Sequence, residues 1–166
     1  MKKVFIFIFF ILILVASFFG IKKFISKKKS IDSLETEFKS VCMIDFLEKK
    51  YECEIQNSPN ITIIKINSPK NLEGMVFSVE GEKQKVIFKN KEFDKIPIPE
   101  NSFLSLTAKI LRSLNDISNF TQTASKDGFH LKSKKDKNNF ELICDSKGKI
   151  MEILSPENNL KIKFSG

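Results

Sequence analysis

The chain contains no tryptophan and only one histidine, His130. Histidine is the usual proton carrier near neutral pH and a common metal ligand, so a single copy cannot build a histidine-based zinc site. His130 alternates with Phe129 and Leu131, and we expect it on the solvent face of a strand, without a chemical role. Phosphate-binding glycine loops, HExxH, CxxC and nucleophile-elbow motifs are also absent. We therefore predict that the chain is not an enzyme and requires no cofactor or metal.

Cysteine occurs three times, as Cys42, Cys53 and Cys144, each on the apolar side of a predicted strand. A hairpin turning at residues 49–50 would place Cys42 opposite Asn57, so a disulfide between Cys42 and Cys53 would require a slipped strand. We predict buried free thiols. A disulfide from Cys144 to one of the other two is the alternative.

Acidic residues are missing from the start of the chain, where the first is Asp32. Residues 1–29 contain seven lysines, and the remainder of the chain contains 21 basic and 20 acidic residues. The formal net charge of +8 therefore belongs almost entirely to the first 29 residues. A nearly neutral domain argues against nucleic acid as a partner.

An apolar run extends from Val4 to Ile21 and is followed by five lysines within residues 22–29. Eighteen helical residues span about 27 Å, close to the thickness of the bilayer hydrocarbon core. We predict that residues 1–29 form an uncleaved signal anchor with a basic flank, crossing the membrane through residues 4–21. Cleavage after Val15-Ala16-Ser17 is the alternative.

Two other export classes do not fit this N-terminus. A lipoprotein signal needs a cysteine after the apolar run, whereas the first cysteine is Cys42; a type IV pilin needs an early acidic residue. The short basic start before a long apolar run favours a single-pass protein of the cell membrane with its domain outside the cytoplasm. The lysine count beyond the run supports the opposite orientation, a cytoplasmic domain, which remains the alternative.

Residues 30–166 have the pattern of one antiparallel α+β domain. Helical spacing predicts a short helix over residues 30–40 and one main helix over residues 102–114. Alternating apolar residues predict strands over most of the remaining chain. The predicted strands are residues 41–46, 51–56, 60–67, 74–80, 83–89, 118–124, 128–133, 139–145, 149–154 and 159–164. This order predicts an antiparallel sheet whose apolar face is covered by the main helix.

The segment Asn67–Phe88, with Pro69, Leu72-Glu73-Gly74 and the turn glycine Gly81, resembles the central part of LolA-like proteins. The closing hairpin Lys149–Phe164 fits the same plan, and the likeness extends over about residues 40–166. Within the superfamily the chain is most similar to clostridial spore germination lipoproteins of the GerS type. It lacks their lipidated cysteine, and the predicted anchor would attach the domain to the membrane instead.

This resemblance implies an incomplete barrel with an apolar concave side, in a low-GC Gram-positive bacterium. By position, the apolar cavity would be lined by Met75, Phe77, Val79, Phe88, Phe103, Leu106 and Ile110. The GerS likeness implies a binding protein that acts on a cell-envelope protein partner, in sporulation or germination. The carrier likeness implies instead a cavity that accepts lipid or the acyl chains of lipoproteins. Plain hydrophobic core is the alternative assignment for the seven residues.

Overall fold

The computed structural model describes residues 31, 33–93, 98–134 and 139–165. The predicted membrane anchor, residues 4–21 within 1–29, lies outside the described residues. Within the described ranges, no helix has both the length and the apolar character needed to cross a bilayer.

Eleven strands form one antiparallel sheet with the order β6-β5-β4-β3-β2-β1-β11-β10-β9-β8-β7. The strands are β1 Phe38–Phe46, β2 Lys49–Asn57, β3 Ile61–Ser68, β4 Val76–Glu80, β5 Lys83–Phe88, β6 Lys91–Phe93, β7 Phe120–Ala124, β8 Gly128–Ser133, β9 Glu141–Asp145, β10 Ile150–Ser155 and β11 Leu160–Phe164. The α-helix of the described ranges, α1, spans Phe103–Arg112. The predicted α+β class, an antiparallel sheet with one main helix, is confirmed, and β6 is a strand that the sequence pattern did not indicate.

The sheet is not closed into a barrel, because β6 and β7 are its two edges. The chain builds β1 to β6 outward to one edge and then crosses to the opposite edge, from which β7 to β11 return to pair with β1. Helix α1 lies in this crossing segment, which explains why it packs on one face of the sheet. Its first turn is capped by Ser102, whose Oγ accepts a hydrogen bond from the Ser105 N–H at 3.2 Å.

Apolar residues of the inner sheet face and of α1 form a single hydrophobic core. Alternation along each strand explains the pattern: Ile44, Ile55, Phe77 and Ile162 are fully buried, while their strand neighbours face outward. The helix is fixed at its first residue by Phe103, whose ring stacks on Tyr51 with centroids 4.1 Å apart. Burial of this kind is the main stabilising contribution to the fold.

The predicted register of the first hairpin is wrong. The turn is formed by Leu47 and Glu48, which both have positive φ, at 49° and 65°, rather than by residues 49–50. Such two-residue turns usually contain glycine or asparagine, so the sequence carried no signal for this position. The shift places Cys42 directly opposite Cys53. All three cysteines are nevertheless buried and free, as predicted.

The predicted helix over residues 30–40 is also wrong, since the described residues before Phe38 are not helical. Tertiary hydrogen bonds replace the helical ones. The Gln122 side chain on β7 accepts from Ile31 N–H at 3.2 Å and donates to Ile31 C=O at 3.3 Å. Glu35 N–H donates to the Gly148 carbonyl at 3.1 Å. Ile31 and Leu34, which sequence spacing assigned to a helix face, are instead buried without helical structure at either residue.

Because its thiols are buried, we expect the domain to lose folding stability at alkaline pH. Burial, with a smaller contribution from neighbouring Asp145, raises the pKa of Cys144 from 9.0 to about 12. As the pH rises, the Cys144 thiol therefore loses its proton in the unfolded chain before it does so in the folded domain. The contribution of this thiol to folding stability is complete below pH 9 and is lost between pH 9 and 12. Between pH 8 and pH 10, the stability advantage of the wild type over Cys144→Ala should shrink by about 1 kcal/mol.

Urea unfolding of residues 30–166 at the two pH values measures this change. The variant provides the correction for every other ionisable group, because these groups are the same in both proteins. An equal pH dependence of the wild type and the variant would contradict the prediction.

Candidate functional site

A groove of about 740 Å³ lies between the solvent-facing side of α1 and the sheet. This volume is within the range of typical small-molecule sites, roughly 300–1,000 Å³. Four apolar residues from separate parts of the chain contribute to its lining: Pro59 in the β2–β3 turn, Val79 on β4, and Leu106 and Ala108 on α1. Asn158, from the connection between β10 and β11, also contributes. The fold thus assembles the groove from segments about 100 residues apart.

The amphipathic character of α1 explains which side chains reach the groove. Leu104, Leu111 and the other buried positions face the core, and of these only Ala108 also borders the groove. Ser105, Lys109 and Arg112, at positions i, i+4 and i+7, lie outside that stripe and line the groove. The groove is therefore partly apolar and partly polar.

Charge is distributed unevenly along the groove. Lys109 and Arg112 belong to the last turn of α1, whereas Glu100 precedes the N-cap at the other end. Both cations are exposed, and neither forms an ion pair with any described residue. The Ser105 Oγ is buried and has no hydrogen-bond partner within the described ranges. The groove thus offers positive charge at the last turn of α1 and an unsatisfied hydroxyl group at its first turn.

Two of the seven predicted cavity residues line this groove: Leu106, which is half-buried, and Val79, which also belongs to the core and is 5% exposed. The structure places Phe77, Phe103 and Ile110 within the core, with exposed fractions of 0, 8 and 5%. Met75 and Phe88 are only partly buried. The predicted set is therefore divided between the groove, the core and the core's margin.

The polar groups of the groove were missed by the sequence prediction, which considered only apolar positions. Lys109 and Arg112 were nevertheless visible as charged residues beside the helix stripe. Gln84 on β5 and Asn158 could not be found in this way, because only the tertiary fold brings them to the groove.

The described groove lining supplies amides, hydroxyls, two cations and the carboxylate of Glu100, and includes no histidine or cysteine. Across the described ranges, no group of three or more His, Cys, Asp or Glu side chains is placed to hold a metal ion. His130 is exposed on β8, as predicted. The chemistry offered by these groups is reversible binding through apolar contact, hydrogen bonds and positive charge.

No protein-family model matches the chain, and no curated protein matches it. Solved structures to which the chain is similar include the following two. A LolA superfamily protein from Nitrosomonas europaea has 9% identity and a TM-score of 0.40, over 77% of this chain and 69% of that one. A putative outer membrane lipoprotein-sorting protein domain from Vibrio parahaemolyticus has 8% identity and a TM-score of 0.40, over 77% of this chain and 83% of that one. At this level of similarity, the assignment of function depends on the chain's own residues.

Proposed function

We propose that this chain is a non-enzymatic binding protein of the cell membrane that holds an acyl chain in the groove beside α1. The observation that carries the proposal is the apolar part of the groove, formed by the accessible side chains of Leu106 and Pro59 over the core residues Val79 and Ala108. Each methylene that such a surface removes from water contributes about 0.8 kcal/mol. A ligand with a long hydrocarbon chain is therefore the class that gains most from this site.

The predicted anchor supports the same function because it would keep the domain close to the membrane. Only nine residues separate Ile21, the end of the apolar run, from Ile31, which the Gln122 side chain fastens to β7. Even fully extended, a segment of this length reaches only about 35 Å. We propose that the anchor holds the domain at the outer surface of the cell membrane, within reach of membrane lipids.

Binding of a cell-envelope protein during sporulation or germination, as the GerS likeness implies, is the competing proposal. It needs no ligand in the groove, whereas the acyl-chain proposal requires one. The contents and binding capacity of the groove therefore distinguish the two functions.

We expect residues 30–166, purified without detergent, to bind a fluorescent fatty acid, and Leu106→Asp to weaken binding at least about tenfold. The added carboxylate would place a charge on the apolar surface that the acyl chain must cover. Met43→Asp is a matched control, because Met43 is exposed on the outer face of β1, away from the groove. Fluorescence titration measures the three dissociation constants.

Circular dichroism confirms that each variant is folded. Failure of the wild type to bind any acyl probe, or equal weakening by both substitutions, would overturn the acyl-chain proposal and favour the protein partner.

A further inference from the structure

We propose that the ligand of the groove is an anionic amphiphile whose carboxylate or phosphate group binds Lys109 and Arg112 while its hydrocarbon chain lies against Leu106 and Val79. This inference rests on the proposed acyl-chain function and adds the chemical class of the ligand. Free fatty acids and acidic phospholipids both have this chemistry.

Lys109 and Arg112 differ from four lysines of the sheet in having no carboxylate within salt-bridge distance among the described residues. Four lysines of the outer sheet surface lie within salt-bridge distance of a carboxylate: Lys39–Glu54, Lys85–Glu92, Lys132–Glu141 and Lys161–Glu152. Lys109 and Arg112, by contrast, are adjacent on one helix face and have no acidic partner among the described residues. Two neighbouring cations with no counter-charge repel each other, so an anion between them is favourable. The arginine guanidinium suits either group, since it can donate two parallel hydrogen bonds to a carboxylate or phosphate.

The Ser105 hydroxyl provides a second, independent observation. Its Oγ lines the groove, is buried and lacks a hydrogen-bond partner among the described residues. A buried polar group without a partner is unfavourable unless a ligand or water supplies one. Ser105 lies one helical turn before Lys109 on the same helix face, so a head-group oxygen held by Lys109 on this side is the one that can accept a hydrogen bond from the hydroxyl.

Glu100 determines the direction in which the ligand binds. It lines the groove at the N-terminal end of α1, while Lys109 and Arg112 occupy the last turn. An anionic head group is repelled at the first end and attracted at the second. The hydrocarbon chain then extends from the cations toward Leu106, Val79 and Pro59.

The competing explanation is that the cations only balance the negative end of the α1 dipole. In that case, neutralising them would lower helix stability but would not change ligand preference. The experiment therefore measures selectivity between charged and neutral ligands.

The full chain is reconstituted in neutral phosphatidylcholine nanodiscs and exposed to photoreactive acyl probes. The probes are an anionic fatty acid, a neutral monoacylglycerol of equal chain length, and phosphatidylglycerol placed in the bilayer. We expect the anionic probes to label residues 105–112 about tenfold more than the neutral probe. In the Lys109→Gln/Arg112→Gln variant this preference should be lost while neutral labelling is retained. Lys65→Gln/Lys126→Gln, which removes two exposed lysines elsewhere, is the control with equal net charge.

The outcomes separate the two levels of the proposal. Equal labelling by neutral and anionic probes, unchanged in the Lys109/Arg112 variant, would overturn the anionic ligand but keep the acyl-chain function. Absence of groove labelling by all three probes would overturn both. Preference for the fatty acid identifies a free carboxylate as the ligand group, and preference for phosphatidylglycerol identifies a phosphate.

Discussion

Replacement of Gly128 by alanine should destabilise the domain by about 3 kcal/mol or more, the largest effect that we expect from a single methyl group. Gly128 lies at the start of β8, opposite Asp145 on β9. A Cβ atom at this position would lie 1.9 Å from the Cys144 carbonyl oxygen and 2.9 Å from two backbone atoms of Asp145. These are atoms of a paired strand and cannot rotate away, so the β8–β9 pairing must open.

Gly81→Ala is the matched control for this substitution. Gly81 has a φ of +56°, but an added Cβ would meet no atom within 4 Å, so the cost should be only about 1 kcal/mol. Urea unfolding of residues 30–166 measures both free energies. A cost at Gly128 no greater than that at Gly81 would show that β8 and β9 do not approach each other this closely.

Phe77→Ala should cost about 3–5 kcal/mol of folding stability, as expected for a fully enclosed phenylalanine. Phe77 is 0% exposed and lies between Ile64 on β3 and Val86 on β5. The sequence placed this residue in an apolar cavity. If it lined an open site, its truncation would enlarge the site at a small cost in stability.

Met75→Ala is the comparison, because Met75 also belongs to the predicted cavity set but is only partly buried against the core. We expect it to cost less than half as much as Phe77→Ala. Thermal and urea unfolding give the two values, and the acyl-chain titration shows whether either substitution alters the groove. A Phe77→Ala protein with unchanged stability and tighter acyl-chain binding would mean that Phe77 belongs to the site rather than to the core.

The sequence predicted most of the sheet because one face of it is buried. In β11, Leu160, Ile162 and Phe164 are buried between lysines, and this alternation follows directly from the two-residue period of a strand. The hairpin between β1 and β2 was misplaced because its turn uses Leu47 and Glu48, residues without a turn preference. The segment before β1 was misassigned because Ile31 and Leu34 have the three-residue spacing of a helix face. The same spacing also allows a non-helical segment to bury both side chains.

The groove could be predicted only in part. Val79 and Leu106 were found because apolar periodicity marks both core and cavity positions, and the same ambiguity brought Phe77 into the predicted set. Distinguishing the two requires the depth of each side chain below the surface, which depends on how the sheet curves. Periodicity carries no information about that curvature.

The pairing of β1 with β11 limits how fast the sheet can be completed. Strands β1 to β6 and β7 to β11 each form sequential neighbours, but the two groups meet only through a pair that joins residues 42–46 to residues 160–164. A contact of this sequence separation is slow to form, whereas each group can form its own hairpins from neighbouring strands. The joining of β1 to β11 is therefore the slow step in folding, and it completes the sheet at its centre.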